Sequence, residues 1–208
     1  MSVAGRGDLF IVSSPSGGGK TTLIRRLLGN PPGPPLTFSV SHTTRPMREG
    51  EENGREYHFV GVEEFQRMVQ REEFLEHNEV HGQIYGTSRA EVMPRLAGGQ
   101  DVVLDIDVQG ARDIRSVLPE AVTIFIVPSS PEELERRLRS RGLDGEEAIG
   151  KRLINAAREV QQAHEFQYVI VNDDLDRATL ELESIVRARR LTSARQAARL
   201  ARVRKDFR

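Results

Sequence analysis

Apolar positions along the chain follow two periods, one of strands and one of helices. Residues 9–12 (Leu-Phe-Ile-Val) form a continuous apolar run of strand length, the mark of a strand buried on both faces. After a turn, Leu23, Leu27 and Leu28 fall at helical spacing. Residues 36–40 read as a strand, 57–60 as a short one, and 62–71 as a helix through Phe65, Met68 and Val69. Two further runs, 74–76 and 83–85, bracket a turn at His81-Gly82 and predict a hairpin. Ser88 to Glu91 has capping-box spacing and opens a helix to about Ala97, closed by Gly98-Gly99. Residues 101–107 predict a strand finishing in two acids, followed by Gly110 and a helix, and 122–127 another buried strand. Ser130-Pro131-Glu132-Glu133 is a helix start; Arg136, Arg137, Arg139 and Arg141 crowd that helix's end, and Gly142 stops it. A helix over 148–165 and a strand over 168–172 complete the pattern.

Strands alternating with helices predict an α/β fold, a parallel sheet with helices on both faces. One stretch interrupts it. After the stiff Asn30-Pro31-Pro32-Gly33-Pro34-Pro35 linker, residues 37–88 are polar and richer in β than their flanks, and read as an α+β insertion in the core. The length of 208 residues fits one domain carrying such an insertion.

Composition narrows the class. The chain is 38% hydrophobic and 29% charged, ordinary for a soluble protein. With no cysteine it has neither disulfides nor thiolate metal sites, which fits a cytoplasmic protein. The start, MSVAGRGD, lacks the apolar core of a signal peptide, and the longest apolar run is too short to cross a membrane. The net charge of −1 conceals an asymmetry: nine of the 30 basic residues lie from Arg187 onward with one acid, so the first 186 residues are acidic. That tail, 187–208, reads first as the solvated face of a terminal helix; a contact with the acidic body or with nucleic acid is the alternative, the nucleic acid the less expected. The five histidines (42, 58, 77, 81 and 164) bring no third ligand near, so no zinc site is expected.

Chemistry enters at residues 13–22, Ser-Ser-Pro-Ser-Gly-Gly-Gly-Lys-Thr-Thr, between the first strand and the first helix. Strand, glycine loop, Lys-Thr, helix is the context of a phosphate-binding P-loop. Glycines let successive N–H groups turn inward on a phosphate, and the helix N-terminus adds its partial positive charge. Lys20 would reach the terminal phosphates and Thr21 would offer its hydroxyl to Mg²⁺. Ser14 stands where the first glycine of the usual spacing falls. The bland alternative is a glycine-rich turn before a helix. Against it, the chain has only three lysines (20, 151 and 205), and one of them takes the loop position.

A P-loop does not name the acceptor. Ser41-His42-Thr43-Thr44-Arg45-Pro46-Met47-Arg48, Tyr57, Phe74-Leu75-Glu76, Tyr85-Gly86-Thr87-Ser88 and Leu104 to Gly110 resemble the guanylate kinase family. With the P-loop and the Arg141-Gly142/Lys151-Arg152 stretch, the resemblance runs from about residue 8 to 175, and its bacterial members are the most similar. It implies a P-loop NTPase-type core (8–36, 89–128 and 153–186), a GMP-binding insertion (37–88) and a short helical lid (129–152). The activity implied is Mg²⁺-dependent transfer of the ATP γ-phosphate to GMP or dGMP, in purine nucleotide metabolism.

Carried over residue by residue, the resemblance assigns catalysis to Lys20, Arg45, Arg141 and Arg152. ATP would meet Ser16, Gly17, Gly18, Gly19, Lys20, Thr21 and Thr22, with Arg137 and Asn172. The GMP phosphate would be held by Arg45, Arg48, Tyr57 and Tyr85, and the base surrounded by Ser41, Glu76, Thr87 and Asp107. Thr21 and Asp105 would hold Mg²⁺, partly through water. Guanine offers N1–H and N2–H₂ as donors, which a carboxylate can accept, whereas adenine would leave those acids desolvated and unpaired. The glycines at 33, 54, 86 and 142 sit where hinges could be. Two other readings stand beside this one: a binding module that keeps the fold without catalysis, and a kinase for another mononucleotide. The sequence is also compatible with a homo-oligomer.

Overall fold

Strand β1 (Leu9–Ser13) is buried along its whole length because its side chains feed two separate cores. The computed structural model describes residues 5–80, 82–140 and 145–207. Leu9 and Ile11 join a core shared with Val92, Leu104, Ile114 and Phe125. Phe10 and Val12 join the opposite one, with Leu23, Leu27, Ile124, Ile170 and Leu182. Around β1 lie β2 (Leu36–Phe38), β7 (Asp101–Asp105), β8 (Val122–Pro128) and β9 (Tyr168–Asn172), in the order β2-β7-β1-β8-β9. Every pairing is parallel, as the predicted fold class requires.

Helices α1 (Lys20–Gly29) and α7 (Leu175–Arg190) supply Leu23, Leu27, Leu182 and Val186 to the second core. On the other face, α3 (Arg89–Ala97) and α4 (Val108–Val117) supply Val92, Leu96, Ala111 and Ile114. The carboxyl ends of β1 and β7 therefore open side by side, one into the glycine loop and the other into Asp105.

The insertion has its own four-stranded sheet, ordered β4-β3-β6-β5. It comprises β3 (His42–Thr43), β4 (His58–Phe59), β5 (Phe74–Val80) and β6 (Gln83–Ser88), with α2 (Val62–Gln70) laid against it. The hairpin of β5 and β6 forms as expected; its turn residue His81 lies outside the described residues. Phe65 of α2 stacks on Phe74 with ring centroids 4.6 Å apart. That stack explains Gly86: a Cβ there would stand 2.9 Å from Phe74 and 3.0 Å from Phe65. Gly86 makes room for these rings in mid-strand, between His42 and His77 of the flanking strands. Gly33 and Gly54 do lie in turns, with φ of +117° and +85°, and Gly142 falls outside the described residues.

Three local expectations are corrected. Strand β7 ends at Asp105, and Asp107 caps α4, its carboxylate accepting the Gly110 N–H at 2.8 Å. The donors left bare at a helix start compete for that acid and win it from the strand. Ser88 makes no side-chain cap on α3, because it still belongs to β6, where it is buried. Helix α6 spans Glu146–Gln161, starting two residues early and giving way to a 3₁₀ turn at Ala163–Glu165. By contrast, Ser130 does cap α5 (Pro131–Ser140), accepting the Glu133 N–H at 3.2 Å. Helices α5 and α6 meet through Leu134, Leu138, Ile149 and Ala156.

The basic tail does contact the acidic body. Asp8 and Asp101 are 4% and 3% exposed, and both are paired with arginines of the tail. Arg189 meets Asp8 at 2.8 Å, Arg190 meets Asp101 at 2.7 Å, and Arg195 bridges the two at 3.0 and 2.9 Å. Beyond this clamp, α8 (Ala197–Asp206) has no buried residue. Among the described residues no helix is long and apolar enough to cross a membrane, and no three His, Cys, Asp or Glu gather to hold a metal ion.

Candidate active site

The glycine loop folds as a concave run of backbone between β1 and α1. Gly17 and Gly19 take φ of +92° and +93°, and the Gly18 N–H bonds the Pro15 carbonyl at 2.9 Å. At Gly19 glycine is required twice over, since a Cβ would also lie 2.2 Å from the Asn172 amide nitrogen. That amide donates to the Gly18 carbonyl at 2.9 Å. Arg137, tied to Glu133 at 2.6 Å, reaches the Asn172 carbonyl at 2.8 Å and the Gly18 carbonyl at 3.5 Å. Both side chains brace the loop from behind, and neither lies on a solvated helix face.

Lys20 is the first residue of α1. Its ammonium lies 2.5 Å from Asp105 and 3.2 Å from the Ile106 carbonyl, which also accepts the Ser13 hydroxyl at 2.8 Å. Thr21 and Thr22 are exposed at the helix start, and Thr21 shares a cavity with Asp105.

Facing the loop is a cleft of about 320 Å³ between core and insertion. From separate segments it gathers Ser16, Lys20, Ser41, Tyr57, Glu76, Tyr85, Asp105 and Asp107, all singled out by sequence. Ser14, the departure from the usual loop, lines it too. Tyr57 and Tyr85 meet edge to face, with ring centroids 5.7 Å apart. The Arg45 guanidinium lies 5.3 Å from the Tyr57 ring and 5.5 Å from Phe59, and pairs with Glu51 at 2.7 Å. Glu51 also accepts the Arg48 backbone N–H at 2.8 Å, while the Arg48 side chain is exposed.

Glu76 is 8% exposed, deep in the cleft. Burial pushes its carboxyl up to about 7; hydrogen bonds from Thr87 and Asn78 pull down, and the charges of Asp107 and Asp113 push up. The Thr87 hydroxyl is therefore engaged, donating to Glu76 Oε1 at 2.6 Å from a fully buried position. Tyr57 is raised to about 12, burial again the main cause, so its phenol stays a donor at neutral pH.

Arg152 is half-buried on α6, and Arg141 lies outside the described residues. Three residues of the site went unseen in the sequence: Glu51, Asn78 and Glu159. Asn78 had a usable signal, two places after Glu76 on the same strand face. Glu159 enters the cleft from α6, its pKa raised by burial and Asp107 and opposed by Lys20.

The family model for guanylate kinase matches residues 6–189. A guanylate kinase of Neisseria meningitidis is 53% identical over 196 residues, covering 94% of this chain and 95% of its own. One from Photobacterium profundum is 52% identical over 194 residues, 93% of each chain. The crystal structure of guanylate kinase from Anaplasma phagocytophilum superposes with a TM-score of 0.75 at 35% identity, covering 93% of this chain and 92% of that one.

Proposed function

The chain belongs to the guanylate kinase family, and from that premise we propose how its own residues divide the phosphorylation of GMP by ATP. It is an ATP:GMP phosphotransferase. One observation carries the assignment of its acceptor pocket: residues from five separate segments of the insertion and β7–α4 connection line the same cleft as the P-loop lysine.

The loop backbone and the α1 N-terminus hold the triphosphate of ATP, with Lys20 moving from Asp105 to the β- and γ-phosphates. Asn172 and Arg137 keep the loop in shape for this. Arg45 and Arg48, with Tyr57 and Tyr85, hold the GMP phosphate: the guanidinium forks match its oxygens, and the phenols donate without adding charge. Glu51 keeps Arg45 extended over the rings. Glu76 accepts from guanine N1–H and N2–H, Asp107 lies beside it, and Ser41 serves O6. The lid arginines Arg141 and Arg152 bring charge to the phosphoryl group in flight.

Asp105 and the Thr21 hydroxyl are hard oxygen donors beside Lys20, the donor set that suits Mg²⁺. The ion would neutralise charge on the phosphates of ATP. A GMP phosphate oxygen attacks the γ-phosphorus, the bond to the β-bridging oxygen breaks, and ADP leaves. Because the nucleophile is already an anion, positioning and charge neutralisation carry the step and no general base is needed.

A coupled assay with ATP and Mg²⁺ against GMP, dGMP, AMP, CMP and UMP at equal concentration tests the assignment. Turnover confined to GMP and dGMP is expected, since no residue of the pocket is assigned to the 2′-hydroxyl. Comparable turnover with another base would keep the kinase and discard the guanine pocket.

A further inference from the structure

Two residues beyond Glu76 on β5, Asn78 leaves the same face of the strand and enters the same cleft. Its amide nitrogen donates to Asp113 Oδ2 at 2.8 Å and approaches Glu76 Oε2 at 3.4 Å. Turned over, the amide would set its oxygen against two carboxylates, so these neighbours fix which way it points. Both amide hydrogens are thereby committed. The side-chain carbonyl has no donor among the described residues. Asp113, on α4, is itself held by the Gln109 amide at 3.0 Å.

We propose that Asn78 is a specificity-determining residue that reads the 2-amino group of the guanine base through its side-chain carbonyl, with Asp113 as its positioning residue. The inference rests on the guanine reading of the cleft. Guanine carries three hydrogens on N1 and N2. A carboxylate engages two of them side by side, N1–H and one N2–H, leaving the second N2–H to a further acceptor; Asp107 already spends one oxygen on the Gly110 N–H. Asn78 offers a neutral one next to Glu76. A further carboxylate there would repel Glu76 and Asp107, whereas an amide carbonyl adds no charge to a crowded acidic pocket.

The matched substrate is IMP, identical to GMP except for hydrogen in place of the 2-amino group. Steady-state kcat and KM for GMP and IMP are compared in the parent, Asn78→Ala and Asp113→Ala. Loss of one hydrogen bond predicts a KM for GMP about tenfold higher in Asn78→Ala, with kcat held within about twofold and IMP unchanged. The GMP-over-IMP ratio of kcat/KM then falls about tenfold, and Asp113→Ala, which touches no substrate, lowers it by about threefold. If GMP and IMP decline together, or neither changes, while the parent still prefers GMP, Asn78 does not read the base and the guanine pocket stands. A parent that fails to prefer GMP to IMP would overturn the guanine reading itself. Asp113→Ala keeps the test decisive should Asn78→Ala not fold.

Discussion

Replacing Lys20 with methionine lowers kcat for GMP phosphorylation by about a thousandfold or more, on the scale of losing a preorganised charge from a transition state. Methionine keeps the length and apolar stem of lysine and removes only the ammonium. That group pairs with Asp105 in the free protein, and the Asp105 side chain is 25% exposed, so water can solvate the acid left behind. The fold rests on the apolar faces of β1 and α1, which the change does not touch. A thermal melt within a few degrees of the parent should therefore accompany the lost turnover. Turnover within tenfold of the parent would remove the loop from the chemistry.

Changing Glu76 to glutamine is expected to reduce kcat/KM for GMP by about a hundredfold while shifting that for AMP by only a few-fold. The carboxylate offers acceptors only, and glutamine places an NH₂ where guanine also presents donors. Adenine gains nothing from the acid, so it loses little when the acid goes. Thr87 can reorient its hydroxyl to an amide, which preserves the local packing. Equal losses for both nucleotides would make Glu76 structural and refute this account of base selection.

Much of the fold was legible because its signals are local. The apolar run at Leu9 to Val12, the glycine loop and the Ser130 cap each depend on neighbours in sequence, and each forms. The gathering of Ser41, Tyr57, Glu76, Tyr85 and Asp107 depends on how the insertion folds back on the core. No periodicity encodes that, and only the resemblance to a family pointed to it. Where local rules failed, tertiary structure had taken the residue: Asp107 went to a helix start, Ser88 stayed in its strand, and Gly86 yielded to two phenylalanines. Glu51 left no sequence signal as the partner of Arg45, because a loop closure sets that pair. The tail reads first as a solvated helix face, but its arginines lie on Asp8 and Asp101, acids 93 residues apart that no local pattern links to it.

The most direct test of the base-reading claim is the proton balance of GMP binding. With its carboxyl near 7, Glu76 is about half protonated at pH 7 in the free protein. Guanine's donors favour the ionised form, so binding drives the proton off, and affinity rises as pH climbs through 7 and levels above it. The GMP phosphate, ionising near pH ~6, also sheds protons, but does so equally in a Glu76→Gln variant. Calorimetric titration with GMP at pH 7, in buffers of different ionisation enthalpy, gives the protons released in each. The parent is expected to release more protons than Glu76→Gln, by an amount on the order of half a proton. Equal release from the two proteins would contradict it.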